Sequence, residues 1–200
     1  GTSGDRILLW FDLVDDQDIS PMGSSVNRVN NHTFRVKAVG AFEQKPGCPD
    51  YSSTNITQEE IERICKNECY NPSDTRKHIS RIEVIKITPQ NSAAENVNEL
   101  IQDTWKIFEC KPSQEGCEIE FTDEEYAESL RDSIYYVRAI QEPSPVVNGG
   151  NLRCTYNDKG ECIKVNICYG DDRTDKEDDC LTLSEERAWS SPIYLNFIQT

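Results

Sequence analysis

The sequence predicts a mainly β protein: a β-sandwich stapled by disulfides, with one or two short helical insertions. About eight segments are rich in β-branched or aromatic residues and are separated by turn residues. Nine cysteines occur in 200 residues, and several of them bracket short loops. Convincing helical periodicity is confined to one segment. We therefore expect an immunoglobulin-like or similar sandwich, and a single domain over residues 1–200, since no internal repeat or long linker divides the chain.

The first two predicted strands differ in their apolar pattern. Arg6–Leu13 is apolar almost throughout, which is typical of a strand covered on both faces. Residues 32–42 alternate, so that Phe34, Val36 and Ala38 point to one face and charged residues to the other. The first strand is therefore expected to be central and the second to have one solvent face.

The later strands are marked by β-branched residues and by the turns that end them. Two short strands at 104–110 and 117–121 are predicted to form a hairpin, and Ser133–Ile140, which "EPSP" follows, is the strongest strand. The other predicted strands are Arg81–Ile87, 162–168 and a closing segment at 187–197. Because both end segments are apolar, we expect Trp10 and Trp189 to be largely buried and Pro192 to start or edge its strand.

One helix is predicted from a capping signal at its N-terminus. Thr57 is a candidate N-cap with Glu60 three residues later, the pattern of a capping box, over the segment Thr57–Cys69. Ile61, Ile64, Cys65 and Cys69 then share one face. Two weaker helical turns are predicted at 93–103 and 122–130.

The cysteine spacings favour disulfides over a zinc site. No CxxC is present, and the two histidines, His32 and His78, lie far from any cysteine pair. The predicted local pairs are Cys110 with Cys117, Cys154 with Cys162, and Cys168 with Cys180. A turn is predicted at Asn157–Gly160, between the second of these pairs. Cys48, Cys65 and Cys69 remain; two of them are expected to pair, Cys48 and Cys69 being our candidates, but the sequence does not decide which. Disulfides imply an extracytoplasmic protein, periplasmic or secreted.

The charge and the motifs exclude several functions. A net charge of −15 disfavours nucleic acid as a partner, and no apolar run reaches the ~18 residues of a membrane span. GxSxG, P-loop, HExxH and GxGxxG motifs are absent from the sequence. An acidic loop offers oxygen ligands for Ca²⁺, although a solvated loop held by the Cys168–Cys180 disulfide is the favoured interpretation: Asp171, Asp172, Asp175, Asp178 and Asp179.

Five stretches together resemble one family: "TSGDRILLWFDL" at 2–13, "PMGS" at Pro21–Ser24, "ISRIEVIKI" at Ile79–Ile87, "RDSIYYVRAIQEPSP" at Arg131–Pro145 and "ERAWSSPIY" at Glu186–Tyr194. Their order and spacing are similar to the C-terminal part of a large bacterial family, domain-of-unknown-function family 3604. That family is related to the PHP (polymerase-and-histidinol-phosphatase) metal-dependent hydrolases. The resemblance covers nearly the whole chain, and its last two motifs are the most specific.

The resemblance implies that metal binding and the accessory role belong to different parts of a longer protein. In that family a metal-binding α/β barrel precedes a β-rich tail, so Gly1 is expected to lie at the junction and the metal ligands upstream of this chain. The implied role is a non-catalytic accessory β-domain, without cofactor, that packs on the barrel and shapes its rim. The alternatives are a structural or adhesive module that self-assembles as a homo-oligomer, and a Ca²⁺-dependent binding module. The nine cysteines and the helix after Thr57 depart from the family's pattern.

Overall fold

The computed structural model describes residues 1–15, 18–50, 56–65, 69–149 and 153–198, apart from the side chain of Cys65. Its elements follow in chain order: β1 (Leu8–Val14), β2 (Ile19–Pro21), β3 (Ser25–Arg28), β4 (Thr33–Val39), β5 (Phe42–Gln44), α1 (Gln58–Cys65), β6 (Pro72–Arg76), β7 (Ile79–Ile87), α2 (Val97–Leu100), β8 (Ile101–Glu109), β9 (Cys117–Thr122), α3 (Tyr126–Ser129), β10 (Ser133–Val147), β11 (Cys154–Tyr156), β12 (Cys162–Val165), β13 (Leu181–Trp189) and β14 (Ile193–Phe197).

Two sheets carry the fold. A four-stranded sheet has the order β2-β1-β4-β9. A six-stranded sheet has the order β3-β14-β10-β7-β8, with β13 also paired to β10. The strands pair antiparallel except that β3 runs parallel to β14, and two small ladders, β5–β6 and β11–β12, stand apart. One apolar core draws buried residues from both sheets, which confirms the predicted disulfide-rich β-sandwich.

Stacked aromatic rings form the centre of the core. Phe34 lies 5.5 Å from Phe11, 5.0 Å from Phe121 and 4.8 Å from Tyr135, measured between ring centroids. Phe11 and Phe34 are fully buried because the alternation of β1 and β4 turns them to the same face. Burial of each such ring stabilises the fold by about 1.5–3 kcal/mol.

The expectation that the first strand is covered on both faces is wrong. Phe11 and Leu13 are buried, but Leu8 and Trp10 on the opposite face are 44% and 45% exposed. The continuous apolar run therefore fills a strand with one solvent face. Trp189 is likewise 37% exposed, contrary to prediction.

The predicted hairpin between Cys110 and Cys117 is a crossover between sheets. β8 pairs with β7 in one sheet, and β9 pairs with β4 in the other. The disulfide between these cysteines therefore ties the two sheets together. Gly116 permits the tight entry into β9, because its φ is +95° and a Cβ there would lie 2.1 Å from the carbonyl oxygen of Ala38.

β10 continues beyond its predicted end. "EPSP" lies inside the strand, where the register shifts between Ile140 and Pro143, and pairing with β13 continues to Val147. The predicted closing strand at 187–197 is divided between two strands, because β13 ends at Trp189 and β14 begins at Ile193. Pro192 immediately precedes β14, as predicted.

The helical predictions are confirmed in part. α1 starts with the capping box: the Glu60 N–H donates to the Thr57 hydroxyl at 3.2 Å, and the Thr57 N–H donates to the Glu60 carboxylate at 3.0 Å. Ile61 is buried, but Ile64 is exposed, so the predicted apolar face is narrower than expected. The two weaker turns exist as the single-turn helices α2 and α3.

All three local disulfides are present, and Cys48 pairs with Cys69. Four disulfides are typical of an oxidising, extracytoplasmic compartment. Within the described ranges, none of the helices has the length and apolar character required to cross a bilayer.

Candidate interaction surface

Residues 147–183 form a segment that we call the stapled arm; the structure describes 147–149 and 153–183 of it. The arm begins beyond the point where β10 stops pairing with β7. The last residue of β10 that pairs with β7 is Gln141, and from Pro143 onward the described partner of β10 is β13 alone. Between these two strands the chain forms the separate β11–β12 ladder and the acidic loop. The arm is therefore an extension of the six-stranded sheet, built on a two-stranded ribbon.

The arm is held by disulfides and polar contacts. Cys154–Cys162 closes the β11–β12 ladder, and Cys168–Cys180 closes the acidic loop. The Asn148 side chain clamps the loop to the ribbon: its amide donates to the Cys168 carbonyl at 3.0 Å, and its oxygen accepts the Cys168 N–H at 2.8 Å. The predicted turn at Asn157–Gly160 is present, with Gly160 at φ +77° and its N–H donating to the Asn157 carbonyl.

A second clamp joins the start of the arm to its acidic loop. The Arg153 guanidinium donates to both oxygens of Asp178, at 2.7 and 2.5 Å. These hydrogen bonds, with a further one from the Cys180 backbone N–H, lower the pKa of Asp178. The Asp178 carboxylate therefore already accepts hydrogen bonds from a guanidinium and from a backbone N–H.

Three of the four remaining acids of the predicted calcium loop also accept hydrogen bonds from the chain itself. Asp171 accepts hydrogen bonds from the Arg173 guanidinium, which lowers the pKa of Asp171. Asp175 and Asp179 each accept a backbone N–H two residues further on, and Asp172 lines a depression of about 430 Å³ beside the loop. Over the described part of the chain, no group of three or more His, Cys, Asp or Glu residues is placed to hold a metal ion. Calcium binding here stays untested, and the arginine partners of Asp171 and Asp178 weigh against it.

The apolar side chains of the arm are uncovered. Of the 21 large apolar or aromatic residues that are exposed in the described ranges, eight lie in the arm, which holds fewer than a fifth of the residues: Val147, Tyr156, Ile163, Val165, Ile167, Tyr169, Leu181 and Leu183. Val147, Ile163 and Leu183 are each more than 60% exposed. Scattered exposed apolar residues are ordinary, whereas a concentration of them marks an interaction surface.

A depression of about 290 Å³ lies within this surface. Val165, Ile167 and Tyr169 line it together with polar residues that include Thr174, Asp175 and Asp178. The Arg173 guanidinium lies 3.8 Å from the centre of the Tyr169 ring. The arm thus offers aromatic and aliphatic contacts bordered by charged groups, the composition of a protein-binding surface.

The cysteines and aspartates predicted from the sequence mostly fall in or beside this surface, but its apolar residues were not predicted. The sequence predicts a strand at 162–168, whereas β12 ends at Val165 and its four residues are all exposed. The sequence feature that marks this surface is the number of valine, isoleucine, tyrosine and leucine residues in a segment rich in polar turn residues. Comparisons of the chain with protein-family models, with curated proteins and with solved structures gave no match.

Proposed function

We propose that this chain is a non-catalytic accessory β-sandwich of a periplasmic or secreted hydrolase-like protein, and that the stapled arm is its docking surface. The observation that carries the proposal is the exposure of eight large apolar side chains on an arm held by two disulfides. A pre-organised surface of this kind loses little conformational freedom on binding. Its apolar residues gain free energy when a partner removes them from water.

The nature of the partner follows from the sequence resemblance. The family that the chain resembles joins a β-rich tail to a metal-binding α/β barrel, and the barrel is the surface that such a tail would cover. Metal-dependent hydrolysis would then belong to the barrel. The sandwich would position the arm against it and shape the rim of the active site.

Self-assembly as an adhesive or structural subunit is the second candidate. Strands β8 and β9 each have one described partner strand, so their other edges are open to an added strand. The charge of −15 on every copy opposes close association of identical chains. We therefore rank docking on a different surface above self-assembly.

The mass of the native polypeptide separates the two candidates. A denaturing, reducing gel of the source organism, probed with antibody against this chain, should show a protein far heavier than 22.8 kDa. A native species near 22.8 kDa that forms ordered oligomers would instead support the structural role.

A pair of matched variants tests the arm. Ile163 in the arm and Ile19 at the edge of the four-stranded sheet are similarly exposed, at 64% and 60%. In the 200-residue chain, Ile163→Glu and Ile19→Glu should both leave the melting temperature nearly unchanged. In the native protein, only Ile163→Glu should lower it. Equal effects of the two variants in the native protein would contradict docking through the arm.

A further inference from the structure

A lysine and an aspartate are buried against each other between the two sheets. Lys86 belongs to β7 of the six-stranded sheet, and Asp123 directly follows β9 of the four-stranded sheet. Their residues are only 5% and 2% exposed. The Nζ atom of Lys86 lies 2.5 Å from Oδ2 of Asp123. An amine and a carboxyl are therefore in contact across the sandwich, out of reach of bulk water.

The two oxygens of the Asp123 carboxyl have different partners. The Tyr135 hydroxyl donates to Oδ2 at 2.5 Å, the same oxygen that Lys86 contacts. The backbone N–H of Glu125 donates to Oδ1 at 3.1 Å. Burial, followed by the hydrogen bond to Asp123, raises the pKa of Tyr135, so this hydroxyl carries a proton at neutral pH.

The surroundings are apolar and aromatic. Trp105 lies on the lysine side, with Nζ 5.2 Å from its ring centre, and its ring packs 5.9 Å from that of Tyr135. Desolvation of an ion pair in such a site opposes much of its Coulomb attraction.

The contact between Lys86 and Asp123 also brings the two reacting groups into proximity. Groups held in contact by a folded scaffold react with effective molarities that reach about 10⁵–10⁸ M. The positions of the hydrogen-bond donors also match the needs of acyl transfer. The Glu125 N–H is placed to stabilise negative charge on Oδ1, and the Tyr135 hydroxyl is placed to protonate Oδ2 as it leaves.

We propose that Lys86 and Asp123 condense to an intramolecular amide that joins the two sheets covalently. One proton passes from Nζ of Lys86 to Oδ2 of Asp123, Nζ then attacks Cγ, and the C–N bond forms while the bond from Cγ to Oδ2 breaks. Tyr135 passes its proton to Oδ2 and takes one from Nζ, so Oδ2 leaves as water. The products are one amide N–H and one water molecule, and no oxidant or reductant takes part. Oδ1 remains as the amide oxygen, bonded to the Glu125 N–H.

The mass of the intact chain tests this proposal. After full reduction and alkylation of the cysteines, the wild-type chain should be lighter by one water molecule than the mass calculated for its fully alkylated sequence. Tryptic digestion should yield one branched peptide that joins the Lys86 segment to the Asp123 segment. A chain at the full sequence mass, with two separate linear peptides, would show a non-covalent ion pair only and overturn the proposal.

Two variants give the control. Lys86→Arg keeps the positive charge without the reactive amine, so its mass should equal that of its sequence. A water loss that persists in Lys86→Arg would place the dehydration elsewhere and also overturn the proposal. Tyr135→Phe removes the proton relay, and the cross-linked fraction of freshly refolded chain should appear at least about 10²-fold more slowly. An unchanged rate in that variant would overturn the role of Tyr135.

Discussion

The disulfide between Cys110 and Cys117 should contribute more to global stability than a disulfide of equal loop length in the arm. Its two cysteines are separated by 7 positions, and it joins the edges of both sheets. For a loop this short, the chain-entropy model gives about 2.5 kcal/mol. Cys117 is also nearly buried in the core. Replacing both cysteines by alanine should therefore lower the melting temperature by about 5–10 °C, given about 2–4 °C per kcal/mol for a chain of this size.

The chain contains its own control for this experiment. Cys154 and Cys162 are separated by 8 positions, so the same model assigns them nearly the same entropy. They staple the β11–β12 ladder, which is a separate sheet outside the apolar core. Local opening of the arm does not require the sandwich to unfold, so loss of this disulfide should affect the main transition much less.

The assay is differential scanning calorimetry of the two double variants and the wild type, each carrying Cys65→Ser to prevent thiol exchange. The expected order of melting temperatures is the wild type first, then the Cys154/Cys162 variant, and the Cys110/Cys117 variant last. If the melting temperature falls as far in the Cys154/Cys162 variant as in the Cys110/Cys117 variant, the arm and the sandwich unfold as one unit. The distinction between the core and the arm would then be wrong.

Three further predictions address the core, the pH response and the calcium loop. Phe11→Ala should lower the free energy of unfolding by about 3–5 kcal/mol in urea titrations, whereas Trp10→Ala on the exposed face should lower it by less than about 1 kcal/mol; similar losses would contradict the one-sided burial of β1. Burial and then a neighbouring guanidinium lower the pKa of His32, so below about pH 6.5 the unfolded chain takes up a proton that the folded chain does not. Stability should therefore fall from pH 7 to pH 5, and His32→Gln should reduce this slope; an unchanged slope would refute the linkage. Because two carboxylates of the acidic loop carry arginine partners, millimolar CaCl₂ should leave the melting temperature unchanged, and a rise that disappears with Asp172→Asn would restore the calcium site.

Local patterns predicted much of the fold because their causes are local. The alternation of β4, the capping box of α1 and the turn at Gly160 each depend on neighbouring residues, and all three are present. The disulfides that close short loops were likewise predicted from the spacing of their cysteines along the chain. These features need no knowledge of which sheet a strand joins.

The errors concern long-range arrangement. The sequence between Cys110 and Cys117 has the composition of a hairpin loop, but β8 and β9 pair with other strands, β7 and β4, in different sheets. Trp10 was expected inside because a continuous apolar run does not reveal that one face of the sheet is open. The exposure of the arm was not predicted either, because apolar residues in a strand pattern are normally interpreted as buried.

Hydroxyl-radical footprinting of the arm tests the docking proposal most directly. Tyr156 and Tyr169 are about half exposed in this chain, and Trp10 on the opposite sheet is a reference of similar exposure. The three side chains should be oxidised at comparable relative rates in the 200-residue chain. In the native protein, the two tyrosines should be protected several-fold while Trp10 keeps its rate. Equal oxidation of Tyr156 and Tyr169 in the two samples would contradict a docking role for the stapled arm.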